Sequence, residues 1–297
     1  KGFSTFLTFS PAGDELTLQF VAELIENEAI GADEVTDYLS VSFSSNDYVG
    51  HMFGPSSLES EDNLLRLDRT LAALIKYVDE QVGLDNTLIV LSADHGGPEA
   101  PPDMRQHGFE SEYVNPESWE REAGFTALKK RFGIGKQLIQ QFNPPYVYLN
   151  RELIAEKGLT IGDVEAAVAA ELVKFDGNAL AVSSSAMARG RLPDTPLLRS
   201  VLNNYHPRRS GDVYVVFNPN CFINDFDGLA VAVTHGSPWR YDTFVPVIFA
   251  GAELEPRKVF REIHTVDVAP TLAAAVGAKP PSGTRGQVLV EVLEESQ

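Results

Sequence analysis

Apolar residues recur at helical spacing over 16–27, where Leu16, Phe20, Val21, Leu24 and Ile25 share one face and Gly31 follows as a stop. Residues 38–43 (YLSVSF) alternate and read as a strand. A second helix is predicted over 61–82, with Gly83 as its stop. Its stripe of Leu64, Leu67, Leu71, Leu74, Ile75 and Val78 is expected to be core. Asp85 and Asn86 then turn the chain into 87–93 (TLIVLSA), an unbroken apolar run of the kind found in buried parallel strands. Strand, helix and strand of these lengths make a βαβ unit.

Residues 96–122 are polar, contain several prolines and show little periodicity, so a long loop is expected there. The texture then changes. Strands are predicted at 146–149, 179–183 and 212–217, with Thr160 capping a helix that runs to about Phe175. Further strands at 229–233 (LAVAV) and 245–250 precede a last helix over 266–276. This order predicts an α/β fold with a mostly parallel sheet flanked by helices. The main domain is expected over 1–143, a small inserted α/β lobe over 144–218, and the main domain again over 219–297.

Composition narrows the function. The 297 residues carry 42 acidic and 24 basic side chains, a formal charge of −18. A nucleic-acid surface needs clustered Lys and Arg, so this balance argues against one. An anionic substrate would need cations or metal ions to offset the field. No apolar run approaches the roughly 18 residues of a membrane-spanning helix. The single cysteine, Cys221, cannot form an internal disulfide.

Three segments put metal-type ligands just past a predicted strand. In Asp47-Tyr48-Val49-Gly50-His51, one helical turn would bring the Asp and His to the same side, within reach of one ion. Taken alone the pair is a weak signal, and its plainer reading is an exposed Asp and a partly buried His at a turn. Asp94-His95-Gly96-Gly97 follows the TLIVLSA run, and open α/β sheets bind ligands at the carboxyl ends of their strands. The glycines would let backbone approach closely; the rival reading is a helix-capping Asp beside a surface His. Thr234-His235-Gly236-Ser237 follows LAVAV, with a loop histidine as its rival reading. Three strand ends that each offer His, two of them with Asp, are poorly explained as independent accidents. All five ligands are N or O donors, which suits catalytic zinc, and five exceed the complement of one ion. Two metals about 3.5–4 Å apart clamp phosphoryl displacement.

DYVGHMFGP, SADHGGPEAP and THGSPWRYDTFVPVIFAG resemble successive motifs of the alkaline phosphatase superfamily. Within it they are similar to the PafA-like bacterial phosphate monoesterases, relatives of the nucleotide pyrophosphatase/phosphodiesterases. The likeness extends through SPAGDELTLQFVAELIENEAIG and EDNLLRLDRTLAALIKYVDE. It implies a zinc-dependent phosphate monoester hydrolase working through a covalent Thr- or Ser-phosphate. Asp47, His51 and His235 would hold one zinc, and Asp94 and His95 would belong to a second. The family's remaining Asp, its nucleophile, and the Lys and Arg that hold the phosphoryl oxygens would all precede Lys1. The 297 residues are therefore expected to need an N-terminal part of the same protein and to be inactive alone. Phosphodiesterase, nucleotide pyrophosphatase and phosphonate hydrolase activity share the scaffold; a non-catalytic metal-binding fragment or subunit is the reading of another class. A periplasmic or secreted location follows from the resemblance alone.

Other polar residues are assigned plainer roles. His107 and His206 read as surface histidines, and His264 as a cap for the last helix. Arg240 reads as solvated. Asp242 is a candidate carboxylate behind His235, because ligand histidines usually donate their second N–H to such a group; the alternative is a turn.

Overall fold

The computed structural model describes residues 2–226, 228–252 and 254–293. Helices α1 (Gly2–Thr8), α2 (Pro11–Asn27), α3 (Ser45–Phe53) and α4 (Leu58–Gln81) lead into strand β1 (Leu88–Ser92). There follow α5 (Pro101–Gln106), β2 (Glu112–Tyr113), α6 (Ala123–Arg131), β3 (Ile139–Asn143), β4 (Tyr146–Leu149), α7 (Arg151–Glu156) and α8 (Ile161–Leu172). Then come β5 (Asn178–Ser183), α9 (Ser184–Ala188), α10 (Pro196–Asn204), β6 (Val213–Phe217) and β7 (Cys221–Phe222). The chain ends with β8 (Asp225–Phe226), β9 (Leu229–Ala230), α11 (Arg240–Thr243), β10 (Val247–Gly251) and α12 (Val268–Ala275). No described helix is long and apolar enough to cross a membrane.

Two compact units divide these elements. The first comprises Lys1–Val49, Leu58–Asp94 and Val245–Gln297, the second Gly50–Ser57 and His95–Phe244.

The second unit is built on a four-stranded antiparallel sheet in the order β3-β4-β6-β5. Strand β6 explains its own sequence. Val213 and Val215 enter a core with Trp119, Phe125, Leu138 and Leu172, while Tyr214 and Val216 enter another with Tyr146, Val182 and Val201. Alternate side chains leave opposite faces of a strand, so burial on both faces demands an unbroken apolar run. Thr160 does stand at the N-cap of α8, but its side chain makes no capping bond there. Strand β3 was not expected; its glutamines interrupt the apolar pattern, and its pairing with β4 supplies the missing cue.

In the first unit α2 packs on α4, and β1 pairs with β10. Here several expectations fail. The β1–β10 pairing is antiparallel, with Leu91 and Ile248 43% and 50% exposed, so β1 is not the buried parallel strand its composition suggests. The α/β class itself is as expected, with mixed sheets: among the described residues β2 and β7 pair in parallel and the other strand pairings are antiparallel. The α4 stripe is not core either: Leu64 and Ile75 are exposed, and the buried residues of that helix are Ser60, Asn63 and Thr70. One facing helix cannot cover a stripe that wide. Residues 38–43 form no strand, and Tyr38 is 78% exposed. In the second unit, 96–122 is not a loop; Pro101 starts α5, where a missing N–H costs nothing, and Trp119 lies buried in a 3₁₀ turn. Of LAVAV only Leu229 and Ala230 pair, in a hairpin with β8.

Candidate metal centre

Helix α3 starts at Ser45 and places Asp47 in its first turn and His51 in its last. Four residues is one turn, so the two side chains share a face. His51 is buried, and its Nδ1 lies 2.8 Å from the Val233 carbonyl oxygen. A carbonyl only accepts, so Nδ1 carries the proton and Nε2 keeps its lone pair. The backbone closes the same junction: the N–H groups of Ala232 and Val233 donate to the His51 carbonyl at 2.8 and 3.3 Å. That clamp fixes the chain two residues before His235.

His235 follows directly. Its ring centroid stands 4.8 Å from that of His51, and one ligand atom each from Asp47, His51 and His235 lie within 4.8 Å of one another. One carboxylate oxygen and two imidazole nitrogens at this spacing form a donor set that fits zinc and leaves coordination open. His95 stacks on His235 with centroids 3.4 Å apart, and its own Nδ1 donates to the Gly96 carbonyl at 2.8 Å. Asp94 precedes it in the chain. These two complete no second three-ligand group among the described residues.

Two turns of the second unit are locked together here. The Gly96 N–H donates to the Asp242 carbonyl at 2.8 Å, and a Cβ at Gly96 would sit 2.1 Å from the Tyr241 carbonyl oxygen. The close approach expected of a glycine in this motif is real at Gly96, whereas Gly97 has open space around it. The Asp242 side chain is 3% exposed and accepts the N–H and hydroxyl of Ser237 at 2.7 and 2.6 Å. Burial pushes its carboxyl up; the two Ser237 bonds, the nearby His235 and the Gly236 N–H pull it back. Its Oδ1 has no hydrogen-bond partner among the described residues. Asp242 thus holds the turn that follows His235.

A cavity of about 520 Å³ opens beside His51 and His235, walled by Asn143, Phe217, Tyr241 and Asp242 among others. Among the described residues no lysine or arginine lines it. Arg240 is exposed and lies over the Phe244 ring at 4.6 Å. His107 is exposed, His206 Nδ1 accepts the Arg208 N–H at 3.2 Å, and the His264 N–H donates to Asp267 at the start of the last helical segment. Sequence reasoning missed the Val233 carbonyl, Ser237 and Asp14, which accepts the first N–H of α3. The first is backbone and leaves no trace in side-chain type; Ser237, two residues after His235, was the only local signal.

Residues 5–238 match the family model for type I phosphodiesterase / nucleotide pyrophosphatase. The chain is 35% identical over 288 residues to a protein named calcium-transporting ATPase from Myroides odoratus, covering 96% of this chain and 52% of that protein. It is 33% identical to alkaline phosphatase PafA from Elizabethkingia meningoseptica, covering 96% and 51%. The crystal structure of a wild-type alkaline phosphatase PafA superposes with a TM-score of 0.86 at 32% identity, over 96% of this chain and 53% of that one. The chain therefore spans about half the length of the curated relatives it matches.

Proposed function

Since the chain belongs to the type I phosphodiesterase / nucleotide pyrophosphatase family, we propose that it forms the metal-holding part of a phosphate monoester hydrolase of the alkaline phosphatase type. The observation that carries this reading is the convergence of Asp47, His51 and His235. These three hold one divalent ion, and Asp94 and His95 contribute to a second; zinc suits both sets because every donor is N or O. A zinc pair supplies charge stabilisation to the attacking and leaving oxygens of phosphoryl displacement.

This chain's own residues orient that site. The Val233 carbonyl holds the His51 proton on Nδ1, which would leave Nε2 as the atom that holds the ion. Asp242, through Ser237, keeps the His235 turn in place. The cavity beside the histidines brings no Lys or Arg of its own among the described residues. The nucleophile, a Thr or Ser, and the Lys and Arg that bind the phosphoryl oxygens are assigned to an N-terminal part of the same protein, which makes the 297 residues inactive alone. Two facts support this: relatives are about twice as long, and the first unit leaves many apolar side chains exposed. A periplasmic or secreted location belongs to the same reading.

The family description itself favours a second reading, a phosphodiesterase or nucleotide pyrophosphatase on the same metal site. Hydrolysis of p-nitrophenyl phosphate and of bis-p-nitrophenyl phosphate by the whole protein separates the two. Faster turnover of the monoester supports the first reading, and preference for the diester replaces it with the second.

A further inference from the structure

Helix α3 carries two of the three proposed ligands, so its starting point sets where they stand. The first N–H groups of any helix need acceptors from outside it. At α3 the acceptor comes from far along the chain: the Ser45 N–H donates to Asp14 Oδ1 at 3.1 Å, across 31 residues of sequence. Asp14 lies in the first turn of α2 and is 3% exposed. It therefore sits at the positive ends of two helices, which favours the carboxylate there. Burial pushes its carboxyl up, and the Ser45 N–H and hydroxyl pull it back. The contact is also tight. A Cβ at Gly13 would stand 2.6 Å from Ser45 Oγ and 3.2 Å from the Leu7 carbonyl oxygen, so α2 meets the start of α3 with no room for a side chain.

We propose that Asp14 is a positioning residue for the metal centre, capping α3 so that Asp47 and His51 are presented together to the ion. The proposal rests on the ligand reading given above. A cap of this kind does two things at once: it stabilises the helix and it fixes the helix's first turn, which contains Asp47. Only the second role would alter the metal site independently of stability.

The test compares three variants of the whole protein by zinc affinity, measured in competition with a chelator, and by the absorption spectrum of bound Co²⁺. Asp14→Ala removes the acceptor and should weaken zinc about 10- to 100-fold, the usual cost of losing support behind a metal ligand, with a changed Co²⁺ spectrum. Asp14→Asn keeps an acceptor oxygen and should restore both readouts close to wild type. Val21→Ala truncates a buried side chain of the same helix and should lower the melting temperature without moving either readout. If Asp14→Ala does not fold, Asp14→Ser carries the same comparison with a shorter acceptor. Wild-type affinity in Asp14→Ala overturns the proposal. So does equal weakening by Val21→Ala, or a failure of Asn to rescue. A wild type that holds no zinc removes the ligand reading and this proposal with it; tight wild-type binding with an indifferent Asp14→Ala removes the proposal alone.

Discussion

The two units solve burial differently. In the second, the four-stranded sheet has apolar cores on both faces, and Trp119, Phe125, Leu138, Val147, Val164 and Val213 are almost wholly removed from water. In the first, Val21, Ile25, Val49, Pro270 and Leu289 are the buried apolar residues among those described, while Phe20, Leu64, Leu65, Leu91, Ile248 and Phe260 stay exposed. Both are comparably rich in apolar sequence. The difference is in partners: a strand or helix closes a core only when something covers each apolar face. The exposed side chains of the first unit are what the proposed N-terminal part of the protein would cover.

The sharpest way to break the comparison is to empty the closed core. Phe125→Ala should cost about 3–5 kcal/mol of stability, measured by denaturant unfolding. A loss below about 1 kcal/mol would mean the second unit's core is looser than its burial implies. Gly96→Ala comes next. Its Cβ meets a backbone oxygen that cannot step aside, so a cost near the upper end of the usual range, about 3 kcal/mol, is expected, together with loss of metal binding.

Asp242→Asn should act more on metal than on stability, weakening zinc about tenfold. It also carries a pH signature. Burial raises the folded carboxyl above the unfolded value of 3.8, so the folded state holds the proton longer. The associated stability is full below that value and is lost as pH rises through the folded one. The metal-free Asp242→Asn protein should lack this decline in an acid-to-neutral unfolding series; an unchanged decline would assign it elsewhere, with Asp14 the other carboxyl pushed up by burial among the described residues.

The smallest effect belongs to the open unit. Ile248→Thr should change the stability of the 297-residue chain by no more than about 0.5 kcal/mol. The same change in the whole protein should cost more, because a covered Ile loses about 1.5 kcal/mol or more of burial. Equal costs in both would mean that nothing covers β10.

What the sequence made legible follows the same division. Strands β4, β5 and β6 and helix α8 were readable because burial on their faces is local and complete, so apolar pattern and environment agree. The run at 87–93 was readable as a strand but not as an antiparallel one with exposed side chains, since pairing partners lie far along the chain. The α4 stripe misled for the same reason. At the site, Asp47, His51 and His235 stood out because ligand types beside glycines are rare in apolar surroundings. The groups that aim them (a carbonyl at Val233, a hydroxyl at Ser237, a carboxylate at Asp14) are chemically ordinary and become visible only through contact. The irregular segment at 38–43 alternated without a partner strand, which no local pattern reveals.

The central claim is that Asp47, His51 and His235 hold a metal ion, and zinc titration followed by native mass spectrometry tests it most directly. The wild-type 297-residue chain should take up one zinc tightly and a second only weakly, and the tight equivalent should be lost on lowering pH, because the imidazoles must be neutral to bind. In His235→Ala the tight equivalent should disappear. Zinc held by His235→Ala as firmly as by the wild type, or two equally tight equivalents in the wild type, would contradict the account.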